Sequence, residues 1–433
     1  MSAYSPGSPV AAQGGSADRG PLIPPPSEKA PARVVVTMIL ARFGVMAALA
    51  TPLSAGLTLK LQELVAAQDV VATLGIITSL GAFSSLFFDP IFGRLSDRTT
   101  SRFGRRRPWM IIGAVGLLLA LGLIGAAPNV VVVGIGWVLA QMIGNAAIGA
   151  HTATLADQLT PLQRGKVSGA TGVAQQAAFL GAAYAAQLLN SHMLLLFLVP
   201  GILGLLLIAL YAAVLPDERL PRKPEGRLGL LMLLTTFWVN PLKNPDFGLA
   251  WWSRFLLVLA NFMFVTYRLL WIQHEFGLTP ARATEVMATG VLAYTIALIV
   301  SGQVAGWLSD VVKRRKPFII GSAILFALGI YLLTHTSDPS GFYAAEVVLG
   351  IGFGTYVAVD LALVVDILPD PDEAAKDLGV FNIAMAGPQV LAPGVAALVI
   401  SNGGAGGYDT MLILAAVIAL VGAFLILPIK KVK

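Results

Sequence analysis

Twelve stretches of roughly twenty largely apolar residues run through this chain, at 34–58, 69–93, 109–127, 130–156, 166–189, 193–215, 251–273, 284–308, 318–335, 342–366, 378–400 and 409–428. Nothing else in the sequence limits the fold as much. A helix rises 1.5 Å per residue, so about 20 residues cross the ~30 Å hydrocarbon of a bilayer. It also closes its backbone hydrogen bonds within itself. The expected fold is an all-α membrane protein of twelve transmembrane helices. Residue usage agrees: of 433 residues, 56% are hydrophobic and 12% charged, against about 25% charged in soluble domains.

Between the apolar stretches the chain divides into four parts. Residues 1–33, rich in Pro, Gly, Ser and Ala, read as a disordered cytoplasmic tail. A signal peptide would place its apolar run directly after a basic start, whereas here that run begins at Val34 and is long enough to stay in the membrane. Residues 34–215 form a first six-helix bundle and 251–433 a second with a short tail. The polar stretch 216–250 links them, and its short apolar segment Leu228 to Trp238 fits an interfacial helix.

Basic residues are retained on the cytoplasmic side of a membrane. With both termini inside, 24 of the 29 Lys and Arg fall in cytoplasmic segments, the others being Arg42, Lys60, Arg254, Arg268 and Arg282. This predicts a multi-pass protein of a bacterial-type inner membrane with cytoplasmic termini. The net charge of +6 then faces anionic lipid and requires no nucleic acid. The absence of cysteine removes disulfides, thiolate metal sites and cysteine nucleophiles, and the four histidines form no ligand pattern. No nucleotide-binding loop or nucleophile with its base is recognisable, so no enzyme, metal or cofactor is expected.

The chain also repeats itself. Gly93, Arg94, Leu95, Ser96 and Asp97, followed by Arg105, Arg106, Arg107 and Pro108, match Gly306, Trp307, Leu308, Ser309 and Asp310, followed by Lys313, Arg314, Arg315, Lys316 and Pro317. Both runs continue into Ile-Ile-Gly. Pro108 precedes Asp157 by 49 positions, and Pro317 precedes Asp366 by the same 49. Arg42 with Phe43 is repeated as Arg254 with Phe255. Two halves related by an axis along the membrane normal place a site at midplane between them.

Gly93 permits close backbone approach, Asp97 can accept hydrogen bonds from a helix N-terminus or from arginines, and the arginines face headgroups. Gly93, Asp97, Arg98, Gly104, Arg105, Arg106, Asp157 and Arg164, with Gly306, Asp310, Arg314, Arg315 and Asp366 in the second half, form a candidate cytoplasmic gate. Positive-inside topology is the plainer reading of each single arginine. Acidic residues repeated within basic loops favour the gate.

Gly-x-x-x-Asp-Arg followed by Gly-Arg-Arg resembles the signature loop of the major facilitator superfamily, here with Thr99 to Arg102 inserted. The run Ser96 to Pro108 is similar to that of plant-type sucrose/proton symporters, and Asp89-Pro90 resembles the melibiose-type glycoside-pentoside-hexuronide symporters, where a helix 2 aspartate helps to bind the cation. Helix 4 resembles the sucrose symporters at Gly149, Ala153, Leu155, Ala156 and Asp157. By that alignment Gln141 stands where the family has its proton-binding aspartate and Thr152 where it has an arginine. The resemblance implies a sugar-type substrate without carrying over that proton site.

Ionisable groups inside a span are expensive and are functional candidates by default. Coupling-ion candidates are Asp89, Asp360, Glu346 and His151, although a structural hydrogen bond is the simpler role for His151. Arg42 and Asp89 each lie about 12 Å from the cytoplasmic ends of helices 1 and 2, which predicts an ion pair, structural or coupling. Gln141, Asn145 and Thr152 share one face of helix 4, suited to a hydroxyl-rich ligand or to interhelical hydrogen bonds. Gln175, Gln176, Tyr294, Asn382 and Gln389 complete the pathway candidates, while Arg268 is read as snorkelling from helix 7. The expected function is a secondary active symporter, coupled to protons and importing a sugar or glycoside by alternating access as a monomer. A proton-driven exporter of drugs or sugars is the alternative, and a sensor or assembly factor on the same fold is a third.

Overall fold

The computed structural model describes residues 26–221, 244–367 and 374–430. The first 25 residues and the segment expected to form an interfacial helix lie outside the described residues. Twelve long helices are described: α1 (Ala32–Leu64), α2 (Ala67–Asp97), α3 (Arg107–Gly125), α4 (Val130–Gln158), α5 (Pro161–Leu189), α6 (Met193–Val214), α7 (Pro245–Phe276), α8 (Pro280–Val312), α9 (Lys316–Leu333), α10 (Pro339–Ile367), α11 (Ala374–Asn402) and α12 (Gly407–Phe424). The protein is an all-α membrane protein.

Proline starts several of them. Pro161, Pro245 and Pro280 open α5, α7 and α8, and Pro108 and Pro317 sit in the first turns of α3 and α9, where the missing N–H is not needed and the fixed φ is already helical. Asn129 caps α4 by accepting from the Val132 N–H at 3.1 Å. The left-handed Gly277 ends α7. Such capping lies beyond the apolar stretches, so α2, α7, α8 and α11 outrun their expected spans at both ends. Pro52 does not break α1: a π-helical turn over Pro52–Gly56 absorbs it.

Among the described residues, eleven helices are long and apolar enough to cross a membrane. The twelfth, α5, has the length but carries Gln163, Arg164 and Lys166 near its start, with Lys166 exposed, and the half-buried Gln175 and Gln176 farther along.

The repeat is realised in three dimensions. Arg107 and Lys316, Val130 and Pro339, and Gln158 and Ile367, which bound α3, α4, α9 and α10, are each 209 positions apart. In the first bundle α1 packs on α5 and α6, α4 on α2 and α3, and α3 on α6; in the second, α7 packs on α11 and α12, α10 on α8 and α9, and α9 on α12. The bundles meet where α2 packs on α11 and α5 on α8.

These contacts are concentrated at the end remote from the basic loops. Gln62 donates to Gln273 at 2.6 Å, Asn190 to Thr284 at 3.3 Å, and the Tyr267 hydroxyl to the Val71 carbonyl at 3.2 Å, while it also reaches the Pro393 carbonyl of its own bundle at 2.9 Å. Toward the basic end, open space surrounds Gly93, Gly165, Gly169 and Gly172. The close approach expected at Gly93 is made within the first bundle, where its backbone nitrogen lies 3.9 Å from the place a Cβ on Gly149 of α4 would take, while the space on its own Cβ side is open.

Candidate functional site

A cavity of about 300 Å³ lies between the bundles. Its walls include Ser85 from α2, Gln141 and Asn145 from α4, Gln175 and Gln176 from α5, Asn261 and Arg268 from α7, Tyr294 and Thr295 from α8, and Gln389 from α11. Side-chain amides dominate the polar part, offering donors and acceptors together, beside apolar walls such as Phe179, Phe262 and Phe353. Asn145 is held in place, donating to the Ser85 hydroxyl at 2.8 Å and the Gln141 carbonyl at 2.6 Å. Gln389 donates to the Met385 carbonyl at 3.1 Å. Of the pathway candidates, Gln141, Asn145, Gln175, Gln176, Tyr294 and Gln389 line this cavity, while Arg42, Thr152 and Asn382 do not. Sequence reasoning missed Asn261 and Thr295, single polar residues in apolar runs.

Arg42 and Asp89 interact through their charges but make no direct salt bridge. The Arg42 guanidinium donates to Gln175 Oε1 at 2.7 Å and to Thr152 Oγ1 at 3.4 Å. Asp89 is exposed on the splayed side, beside Gly149. Neutral acceptors on α4 and α5 lie closer to the guanidinium than the carboxylate does. His151 is buried, with Nε2 2.8 Å from the Met38 carbonyl, a tie between α4 and α1.

The second bundle buries two ion pairs between α7 and α10. Arg254 Nε lies 3.2 Å from Asp360 Oδ2, and Asp360 Oδ1 accepts from the Tyr356 hydroxyl at 3.0 Å. Arg268 Nε lies 3.1 Å from Glu346 Oε1. Arg268 therefore does not snorkel: its side chain is 8% exposed and Glu346 is fully buried. Arg254 also stacks over Phe381 at 4.7 Å, and Arg268 over Phe264 at 5.1 Å and Tyr294 at 5.6 Å. A signal for both pairs was present in the sequence. Arg254 precedes Arg268 by fourteen residues and Glu346 precedes Asp360 by fourteen, the register that two antiparallel helices need to pair twice.

At the basic end, the repeated loops fold alike. Arg106 bonds Ser96 Oγ at 2.6 Å and Asp97 Oδ1 at 2.7 Å; its counterpart Arg315 bonds Ser309 Oγ at 2.7 Å and Asp310 Oδ1 at 2.6 Å. The first bundle adds Asp157, which takes Arg105 at 2.6 Å and Arg106 at 2.8 Å. Burial by itself works to lower the Arg106 pKa, but the carboxylates of Asp157 and Asp97 outweigh it and hold the guanidinium above its ordinary value. Arg164 donates to the Leu159 and Ala156 carbonyls at 3.0 and 2.9 Å, closing the end of α4.

Asp217, just past α6, accepts from the Arg106 and Arg107 N–H groups at 2.7 and 2.8 Å over Gly104, whose φ is +96°. Arg107 also donates to the Leu215 carbonyl, and in the second half Lys316 donates to the Ile429 carbonyl. Arg98 is half-buried beside the first loop, Gly306 faces Ala358, and Arg314 is exposed. Asp366 ends the equivalent helix, but its side chain lies outside the described residues. The described contacts named here tie parts of one bundle to each other.

Among the described residues no group of three or more His, Cys, Asp or Glu is placed to hold a metal.

Comparison with known proteins accords with this architecture. A family model described as Major Facilitator Superfamily matches residues 34–302 and 250–433. Sucrose transport protein SUC4 of Arabidopsis thaliana is 35% identical over 136 residues, 31% of this chain and 25% of that one. Efflux pump roqT of Penicillium rubens is 26% identical over 136 residues, 30% of this chain and 24% of its own. Proton-associated sugar transporter A of Homo sapiens is 46% identical over 56 residues, 13% of this chain and 7% of its own. The matched stretches thus span a quarter or less of these relatives.

Among solved structures, the nucleoside transporter NupG superposes with a TM-score of 0.72 at 14% identity, covering 92% of this chain and 99% of that one. A bacterial homolog of the human lysosomal transporter Spinster, inward-facing and unoccupied, gives 0.66 at 12% identity, covering 93% and 99%. At such identities the likeness is one of fold. With a family model that spans both bundles, the chain belongs to the major facilitator superfamily.

Proposed function

We propose that this protein is a secondary active transporter, a proton-coupled symporter that imports a sugar or glycoside by alternating access. One observation carries the reading: a cavity between two pseudo-symmetric bundles, walled by amides from both, with the bundles tied at one end and apart at the other. Amide side chains match hydroxyl groups, which both donate and accept. Rocking of one bundle against the other would expose the cavity in turn to either side. A buried carboxylate behind the cavity wall, Glu346 against Arg268, supplies a group that a proton can neutralise.

The curated relatives named for sucrose and for proton-associated sugar transport support the same class. It is a transporter rather than an enzyme. On this reading the splayed end and both termini face the cytoplasm of a bacterial-type inner membrane, which the distribution of basic residues supports, and a single chain is the working unit.

The likeness to an efflux pump favours proton-driven export as the second reading. Purified protein in proteoliposomes, given an imposed pH gradient and labelled disaccharides, separates the two. Import expects accumulation when the outside is acidic. Flux of sugar only against the proton gradient would establish export, and no flux in either direction with any sugar would overturn the sugar reading.

A further inference from the structure

The two ion pairs between α7 and α10 occupy equivalent register but different surroundings. Offsetting the halves by the Arg42 to Arg254 and His151 to Asp360 correspondences places Arg268 at the position of Gly56, and Glu346 at that of Trp137. The first bundle therefore has no ionic counterpart of the Arg268 and Glu346 pair, and Gly56 ends the π-helical turn of α1. That turn faces the pair: Leu53 and Ser54 share with Arg268 the wall of a cavity of about 50 Å³, and Arg268 also lines the larger central one. Arg254 lines neither.

The hydrogen bonding differs as well. Asp360 keeps a hydroxyl donor in Tyr356. Arg268 Nε and Glu346 Oε1 meet at 3.1 Å without hydrogen-bond geometry, as Arg254 Nε and Asp360 Oδ2 do at 3.2 Å, but at Glu346 both oxygens are shielded from solvent and neither has a hydrogen-bond partner among the described residues. Such buried, incompletely satisfied groups are costly and call for a reason. The charged or titratable groups facing Glu346 among the described residues are Arg268 from α7 and Tyr294 from α8.

We infer that Arg268 is the residue that couples the proton to the solute, dividing its guanidinium between Glu346 behind it and the cavity in front of it. This rests on the transport reading above. When the tied end opens, water reaches Glu346 and gives it a proton, forming a carboxyl O–H, and the ion pair to Arg268 is lost. Arg268 keeps its charge, because a guanidinium does not deprotonate in proteins. It then needs acceptors, which the solute's hydroxyl and ring oxygens supply from the cavity. Solute binding and proton binding favour each other by the same factor, as linkage requires. The Arg254 and Asp360 pair, which lines neither cavity, holds α7 to α10 in every state.

The test uses the full chain reconstituted in liposomes, with infrared difference spectra recorded through a pH titration and sucrose as the probe ligand. The expected result is a protonated-carboxyl band that Glu346→Gln removes and whose midpoint Arg268→Gln changes. Sucrose should strengthen the band in the wild-type protein, and Glu346→Gln should bind sucrose with affinity independent of pH while losing uphill uptake and keeping exchange. Arg268→Gln with Glu346→Gln removes both charges together and keeps the variant foldable should a single change unpair the site. A Glu346 that never titrates overturns the inference whatever sugars do. So does a titrating Glu346 beside pH-independent sucrose binding in the wild type. Failure of every sugar to bind would instead sink the sugar reading, leaving the Glu346 band to decide for or against the switch.

Discussion

Arg106 and Asp97 pair at 2.7 Å across the loop between α2 and α3, and Arg315 and Asp310 pair at 2.6 Å in the equivalent loop between α8 and α9. The geometry is duplicated but its setting is not. Asp97 is 56% exposed, whereas Asp157, which holds both Arg105 and Arg106, is 16% exposed. Solvent screens the first pair far more than the second.

Asp157→Asn should therefore cost more than Asp97→Asn. Removing one partner of a buried pair costs about 3 kcal/mol or more, while an exposed pair is worth about 1 kcal/mol or less. Thermal or denaturant unfolding of the purified variants, compared side by side, measures the difference. Equal destabilisation would mean that Asp157 is not the anchor of the cluster.

Gln176 and Asn145 both line the cavity, but only Asn145 has described hydrogen bonds within the protein. Gln176→Ala is expected to weaken binding of the transported solute by about tenfold, the value of a lost hydrogen bond of about 1.4 kcal/mol, with little change in melting temperature. Asn145→Ala should lower both affinity and stability. Ligand-induced thermal shifts give both numbers in one experiment.

Gly75 lies at the tied end, where an added Cβ would come within 2.7 Å of the Ala397 Cβ and the Tyr267 hydroxyl, and 3.0 Å of the Pro393 carbonyl. Gly75→Val should therefore favour separation of that end without unfolding either bundle. The chain has no cysteine, so Gln62→Cys with Gln273→Cys can be joined by a short, reducible thiol cross-linker without background. Cross-linking should stop transport and reduction should restore it; in the Gly75→Val background its yield should fall. Unchanged transport in the cross-linked protein would show that this end need not open.

Gly104 holds a φ of +96° directly beneath the Asp217 carboxylate. Gly104→Ala combines a strained backbone of about 1–3 kcal/mol with displacement of the acceptor that caps α3. We expect loss of stability comparable to that of the double variant with Asp217→Asn, measured by unfolding in detergent. Additive effects would indicate that the two residues act independently.

The apolar stretches determined by themselves that this is a helical membrane protein of two repeated halves, since a bilayer accepts few other solutions and a period shared over a hundred residues per half leaves little freedom. Motif residues such as Asp97, Arg106 and Asp157 were legible for the same reason: charge at a helix end is rare in an apolar chain and was present twice. Partners inside the membrane were not. Depth points Arg42 to Asp89, whereas the tertiary structure gives its guanidinium Gln175 and Thr152 as direct partners and leaves Asp89 acting only through its charge; position near the outer end of its helix points Arg268 to the bilayer surface, and it lies against Glu346 instead. Depth along a helix is set by counting residues, but azimuth and neighbour are set by how twelve helices pack, and a single polar side chain leaves no periodic trace of where it points.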